Sequence, residues 1–226
     1  MKRLGITRIT WYFIGMMEKH LSTPLTSADL VELRVGDMVY LSGLMVTGRD
    51  DVHLRVVRQG RPAPVDLSGL AIYHAGPIVR EVPEPGMQWQ PLHKWEVLSV
   101  GPTTSMRMES CEAEFLETTG ARLIVGKGGM GAKTAEACRR LGAIHTVFPG
   151  GCAVLAAARV EAVEGVHWLD LGMGEAMWVL RVRDFGPLVV SIDTAGNNLF
   201  ENNRRFFEER KEAALEALLP HVRFME

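Results

Sequence analysis

Three times between Lys94 and Gly165 a short apolar run gives way to a segment of helical spacing. "KWEVLSV" leads to "SMRMESCEAEFLETTG", "ARLIV" to "MGAKTAEACRRLG", and "AIHTVF" to "GCAVLAAARVEAVEG". A strand that feeds a helix and then another strand is the pattern of a parallel sheet with right-handed crossovers, so the chain reads as α/β. Upstream, "STPLTSADLVELRVGD" carries a short helix capped by Thr26 or Ser27, "MVYLSGLMV" a strand closed by Gly48, and "DVHLRVVRQG" a helix. "GRPAPVDLSG" and "EVPEPGMQWQP" read as loops on either side of the apolar "LAIYHAGPIV". The tail reads as two strands, "AMWVLRVRDF" and "PLVVSID", joined by a Gly-Pro turn, then an amphipathic helix, "ENNRRFFEERKEAALEALLP".

The glycine- and hydroxyl-rich stretches "GPTTS", "GKGGMG" and "PGGC" each follow a predicted strand. Ligands of open α/β sheets bind at the carboxyl ends of strands, so these stretches are expected to converge on one edge and form the site there.

With 226 residues, 47% of them apolar, the chain can bury the core of one domain, with or without an appendage. A net charge of -2, from 25 basic and 27 acidic residues without like-charge blocks, offers nothing to nucleic acid or an anionic membrane. No apolar run approaches the roughly 20 residues of a membrane span. In the opening "MKRLGITRITWYFIGMMEKH" the patch "WYFIGMM" is short for a signal peptide and no small-residue cleavage site follows. Residues 1–20 read as an appendage outside the core, either a short added helix or a misassigned start ahead of Met16 or Met17.

Cys111, Cys138 and Cys152 lie 27 and 14 residues apart, without the C-x-x-C spacing of a metal or cluster motif. They read as small buried thiols, and an odd, unpatterned count fits a reducing cytoplasm. His53, His74, His145 and His167 show neither H-x-x-x-H nor H-E-x-x-H spacing and read as structural rather than metal-binding. In "WVLRVRDFGP" alternation puts the arginines on one solvated face.

Gly126, Gly128 and Gly131 form a literal G-x-G-x-x-G between a predicted strand and helix, but "FPGG" stands where a dinucleotide site needs an acidic residue. Ala132, in the place of glycine before Lys133 and Thr134, likewise breaks a phosphate-loop pattern. What remains is a helix start that backbone amides can open to an anion, with the charge of Lys127 beside it. In "GPTTSMRMES", Thr103 and Thr104 present hydroxyls at a helix start, and Arg107 one turn on can aim its planar fork at the same space. With Arg49 of "TGRDDVH", three cations and two hydroxyls on strand ends suit a small dicarboxylate.

The stretches "VGDMVYLSGLMVTGRDDVH", "DLSGLAIYHAGPIVRE", "SVGPTTSMRMES", "LIVGKGGMG", "FPGGCAVLAA", "VHWLDLGMGEAMW" and "FGPLVVSIDTAGNNL" together resemble the class I iron-sulfur fumarate hydratase and tartrate dehydratase family, in its beta subunit or C-terminal domain. The resemblance runs from about Leu21 to the C-terminus, and "SVGPTTSMRMES", "VEGVHW" and "VSIDTAGNNL" look most like the tartrate branch.

The resemblance implies a single compact swivelling β/β/α domain over residues 21–226. It would close on an alpha subunit that carries a 4Fe-4S cluster on its own cysteines, in a heterotetramer of two alpha and two beta chains. It implies a hydro-lyase, active only with that subunit, that dehydrates tartrate to oxaloacetate, with fumarate/malate as the alternative and a stand-alone anion-binding module as the remoter one. By the same resemblance Thr103 corresponds to the hydroxyl that takes the carbon-bound proton, and Thr104, Arg107, Lys127 and Arg49 to substrate-carboxylate contacts. A threonine hydroxyl is a poor base near neutral pH and needs a neighbouring cation such as Lys127 or Arg107. Two departures stand out: the family's "GMPEA" reads "GMGEA", with Gly174, and the histidine of "DTHGN" is Ala195.

Overall fold

The computed structural model describes residues 16–82 and 94–222. Residues 1–15 of the expected appendage and residues 83–91 of the second expected loop lie outside them. The elements run β1 (Glu18–Ser22), α1 (Ser27–Leu30), β2 (Met38–Thr47), α2 (Asp50–Val57), β3 (Ala71–Tyr73), β4 (Ile78–Val82) and β5 (Lys94–Ser99). Then follow α3 (Glu112–Thr119), β6 (Leu123–Gly126), α4 (Ala132–Leu141), β7 (Ile144–Val147), α5 (Ala153–Ala157), β8 (Val160–His167), β9 (Met177–Ile192) and α6 (Leu199–Leu218). Residues 18–20, expected in the appendage, are the first part of β1.

Strands β1, β2, β3, β6 and β7 pair in parallel, as the alternation predicts. The long strand β9 then runs antiparallel to β7 at one end and to the free edge of β2 at the other, so β2, β3, β6, β7 and β9 close into a ring. Neighbouring residues on each ring strand face different layers. Met45, Tyr73, Val125, Trp178 and Phe185 fill the inside, while Val46, Ile72 and Ile124 face outward onto Val52 and Val56 of α2, Phe115 and Leu116 of α3 and Cys138 of α4. Strands covered on both faces need apolar residues in succession, which is why "LIV" and "MVT" lack polar alternation. The result is a single α/β domain, a barrel-like mixed sheet with helices on its outer face.

Three expectations are corrected. Strand β5 does not join the main sheet; it pairs antiparallel with β4 in a separate ribbon. Its pattern explains this: Trp95 and Val97 pack on the barrel while Glu96 turns outward to Arg80, the alternation of a half-covered ribbon rather than an interior strand. The helix expected over "GCAVLAAARVEAVEG" ends at Ala157, and Val160–His167 is strand β8. Val160, Val163 and Val166, at every third position, fit a helical face, but the open edge of β9 decides: the register shifts between Val160 and Ala162 and between Val163 and Gly165 keep all three valines on the core, and Glu161 and Glu164 of β8 pair with Arg183 and Arg181. Finally, the two expected tail strands are one. Gly186 and Pro187 sit within β9, not at a turn, opposite Tyr40 where the register with β2 shifts between Val39 and Leu41. Proline cannot donate to the ladder, and a bulge accommodates it without ending the strand.

Helix α6 forms as expected, with the Asn198 side chain accepting from the Phe200 and Glu201 amides at its start. Among the described residues no helix is long and apolar enough to cross a membrane.

Candidate active site

All five residues singled out by sequence lie on one rim, at the carboxyl ends of the parallel strands. Arg49 follows β2 as the residue ahead of α2. Its Nη2 pairs with Glu175 Oε1 at 3.1 Å and its Nη1 donates to the Gly174 carbonyl at 3.3 Å. The other Glu175 oxygen accepts the Asp51 amide at 3.2 Å, at the start of α2. Beside it, the Asp50 carboxylate receives both arms of the Arg107 fork, Nε at 3.1 Å and Nη2 at 2.7 Å. Arg107 stands on the 3-10 turn Ser105–Met108, directly after Thr103 and Thr104. That segment is stitched to the end of β6: the Lys127 amide donates to Thr103 O at 3.0 Å, and the Ser105 amide to Lys127 O at 2.9 Å. The Thr103 amide donates to the His74 carbonyl, at the end of β3, at 2.6 Å. Lys127 is exposed, its Cδ against Gly150 after β7, and among the described residues it has no carboxylate partner. The convergence of "GPTTS", "GKGGMG" and "PGGC" on one edge, expected from the strand order, is what the backbone produces.

The glycine loop itself is not open to a phosphate. Glu109 fills the start of α4: its carboxylate accepts the amides of Gly131 at 2.8 Å, Lys133 at 3.1 Å and Thr134 at 3.4 Å, and the Thr134 hydroxyl at 2.6 Å. A side chain on Gly131 would meet Glu109 Oε1 at 2.6 Å, so this glycine exists for the glutamate. An internal anion occupies the amides that a dinucleotide or phosphate would need.

Beneath the rim lies a layer that sequence spacing did not reveal. His53, His74 and His145, far apart in the chain, are completely buried neighbours with Glu112, Ser105 and Ser191, whereas His167 stands apart on β8. His53 Nδ1 is 2.8 Å from the Arg49 carbonyl, which only accepts, so this nitrogen carries a proton. The Ser191 hydroxyl donates to the His145 carbonyl at 3.2 Å, so His145 Nδ1 donates to Ser191 Oγ. His145 is neutral, its pKa pushed down to about 3 by burial, and its Nε2 accepts from Ser105 Oγ at 3.1 Å. Ser105 in turn accepts from His74 Nδ1 at 3.0 Å. The two remaining nitrogens, His53 Nε2 and His74 Nε2, both lie 3.1 Å from Glu112 Oε2. Burial opposes charge on both rings; at His53 the Glu112 carboxylate outweighs it and the pKa is raised, while at His74 burial prevails and the pKa is lowered. Burial would raise Glu112 as well, but the two imidazoles hold it well below the usual carboxylate range.

The layer supports the rim directly. Ser105 opens the turn that carries Arg107, and His53 holds the carbonyl of Arg49. Gly126 must lack a side chain, because a Cβ there would lie 1.8 Å from Ser105 Oγ. One sequence signal for the layer exists. Glu112, Phe115, Leu116 and Thr119 form the buried stripe of α3, and a carboxylate on an otherwise core-facing helical stripe marks a buried charge that needs partners.

The three thiols do not form a cluster site. Cys111 is buried immediately ahead of α3 and Cys138 on α4, where burial pushes the Cys138 thiol far up, and Cys152 precedes α5. Among the described residues His53, His74 and Glu112 are the only set of three potential ligands that meet, so this chain does not fit a cysteine-bound iron-sulfur cluster. Of the two departures from the family pattern, Gly174 touches Arg49 through its carbonyl, while Ala195 is exposed on the turn ahead of α6, its amide held by Asp193.

The chain belongs to a known family: residues 15–203 match the family described as Fumarase C-terminus. Within it, the chain is 54% identical over 209 residues to the L(+)-tartrate dehydratase subunit beta of Escherichia coli K12, covering 92% of this chain and 100% of that one. A putative L(+)-tartrate dehydratase subunit beta of Methanocaldococcus jannaschii is 42% identical over 193 residues, 83% of this chain and 94% of that one. A putative class I fumarate hydratase of Geobacillus stearothermophilus is 43% identical over 182 residues, 80% of this chain but 33% of that longer protein.

Proposed function

We propose that the chain is the beta subunit of a hydro-lyase that converts L-tartrate to oxaloacetate and water, and that its rim is one wall of an active site completed by an alpha subunit. The observation that carries this is the gathering of Arg49, Arg107, Lys127, Thr103 and Thr104 on one edge, with two guanidinium forks already holding carboxylates. Asp50 and Glu175 occupy the positions that the two substrate carboxylates would take, keeping the forks ordered until a dicarboxylate replaces them. Lys127, whose ammonium has no carboxylate partner among the described residues, adds charge next to Thr103.

In the dehydration one carbon loses its proton and the neighbouring carbon loses its hydroxyl, giving the enol of oxaloacetate, which tautomerises to the ketone. This chain binds both carboxylates, and Thr103, as the alkoxide that the adjacent Lys127 ammonium favours, takes the carbon-bound proton, which then joins the departing hydroxide as water. Thr104 and Arg107 hold the nearer carboxylate and Arg49 the farther one. The 4Fe-4S cluster belongs to the alpha subunit, in keeping with the separated thiols here. The domain is of the swivelling β/β/α kind, closing on that subunit as substrate binds, in the cytoplasm and in a two-alpha, two-beta assembly.

Full-length coverage of tartrate dehydratase beta subunits supports tartrate over fumarate; the partial fumarate hydratase relative keeps malate and fumarate as the second reading. The chain, tagged and purified anaerobically with its native partner, is assayed on L-tartrate and on malate beside the chain alone. Turnover of tartrate by the complex only is the expected result. Preference for malate transfers the chain to the fumarate hydratase branch, and activity of the isolated chain refutes the shared site.

A further inference from the structure

The hydrogen-bond pattern beneath the rim leaves one buried group of atoms, among the described residues, that face one another without hydrogen bonds. His53 and His74 each use Nδ1 within the protein, on the Arg49 carbonyl and on Ser105 Oγ, so both rings turn Nε2 towards Glu112. His53 Nε2, His74 Nε2 and both Glu112 oxygens are buried and make no hydrogen bond, although Oε2 lies 3.1 Å from each nitrogen. The separation is short but lacks N–H···O hydrogen-bond geometry, and the atoms stand together as one buried group. Electron pairs gathered like this, at residues no more than 1% exposed, demand a cation among them.

The geometry points to a divalent metal site, with zinc the best-fitting ion, held by His53 Nε2, His74 Nε2 and the Glu112 carboxylate. The ligand atoms all lie within 4.8 Å of one another, and ions bound at about 2.1 Å keep neighbouring donors roughly 3.4 Å apart. Two imidazoles and a carboxylate select a borderline transition ion over calcium or magnesium. Two imidazoles and one carboxylate supply three protein ligands for zinc, and a water completes the fourth position. The second shell is already in place: each ligating histidine donates its other ring N–H, His53 to a backbone carbonyl and His74 to a serine, the arrangement that fixes the tautomer of a metal-binding histidine. A pocket of about 70 Å³ lined by Asp50, His53, Arg107, Ser110 and Cys111 reaches one of the three ligands, His53.

The inference is independent of the reaction proposed above, since the ion would brace Arg49 and the Ser105 turn without touching substrate. Its test therefore needs no turnover. The full-length chain, freed of any tag, is produced in minimal medium with added zinc or cobalt, desalted, and analysed for bound metal per chain. About one equivalent of zinc is expected, with a tetrahedral visible spectrum for the cobalt form and a melting temperature about 5–10 °C above the chelator-treated chain. His74→Gln, folded by circular dichroism, loses the metal and the zinc-dependent shift. A wild-type chain that holds less than about a tenth of an equivalent of either metal, and melts at the same temperature with and without zinc, overturns the site and leaves protons as the occupants; this result stands even if the variant fails to fold.

Discussion

The rim and the layer under it use the same kinds of groups in opposite ways. On the rim, Arg107 is 49% exposed and Arg49 27%, and each is held by a carboxylate that water can also reach. Such pairs contribute little to stability, on the order of 0–1 kcal/mol, and can be exchanged for an incoming anion. Below, Glu112 and His74 are wholly enclosed and His53 nearly so. Charges there cannot be exchanged, and their function is to fix the backbone on which the rim is mounted. The rim is therefore built for recognition and the lower layer for geometry.

The largest effect expected from that division is on stability. Replacing Glu112 by alanine removes the carboxylate that lies 3.1 Å from both buried imidazoles, and breaking a buried pair of this kind costs about 3–5 kcal/mol. Urea unfolding of wild type and Glu112→Ala measures it; a loss as small as that of a rim variant would erase the distinction.

Next is the converse variant. Arg107→Ala removes one carboxylate fork and should lower kcat/KM of the assembled enzyme by about 10²–10³-fold, the scale of a lost charge partner in a closed site. Because its partner Asp50 stays accessible, folding stability should move by less than about 1 kcal/mol and subunit pairing should persist. Near-normal turnover would remove Arg107 from substrate binding.

Gly126→Ala tests the joint between the two regions. A methyl group there falls on Ser105 Oγ and forces the Thr104–Arg107 turn away from β6. Overpacking of this kind costs about 1–3 kcal/mol, and here turnover should fall along with stability. Turnover unchanged in a destabilised Gly126→Ala protein would uncouple rim from layer.

The two regions also differed in how far the sequence reveals them. The parallel strands and their order of glycine-rich ends were legible because a strand–helix–strand rhythm allows few topologies, and so the five rim residues could be grouped before any coordinates. Closure of the ring was not, since it depends on β9 pairing with β2 and β7 at once, a long-range choice invisible in local periodicity. Strand β8 shows the same limit: valine at every third position reads as a helical face, and the bulges that let it serve a strand appear only against β9. The buried layer was missed because spacing rules look for ligands close in sequence, whereas His53, His74, Glu112 and His145 come from four separate elements. The partners of the rim cations, Asp50 and Glu175, and the Glu109 that fills the start of α4, were overlooked because a net charge count cannot tell a solvated carboxylate from one already engaged.

The smallest effect expected concerns the thiols, which belong to neither region. If the cluster is held by the alpha subunit, serine at Cys111, Cys138 or Cys152 leaves the visible absorption and iron content of the assembled complex unchanged. Cys138 is the demanding case, since a hydroxyl in its apolar site lacks a partner and should cost about 1–3 kcal/mol of stability. That loss affects the folding of this chain and not the iron of its partner, so iron per intact complex is the quantity to compare. The geometry requires the null result: Cys111 is sealed immediately ahead of one helix and Cys138 on another, and Cys152 lies before a third. Three thiolates must converge within a few ångströms to hold a cluster, and neither Cys111 nor Cys138 can leave its helix packing without unfolding the outer layer of the barrel. Loss of cluster absorption in all three variants would show that the thiols meet in the assembled enzyme and would move the cluster into this chain.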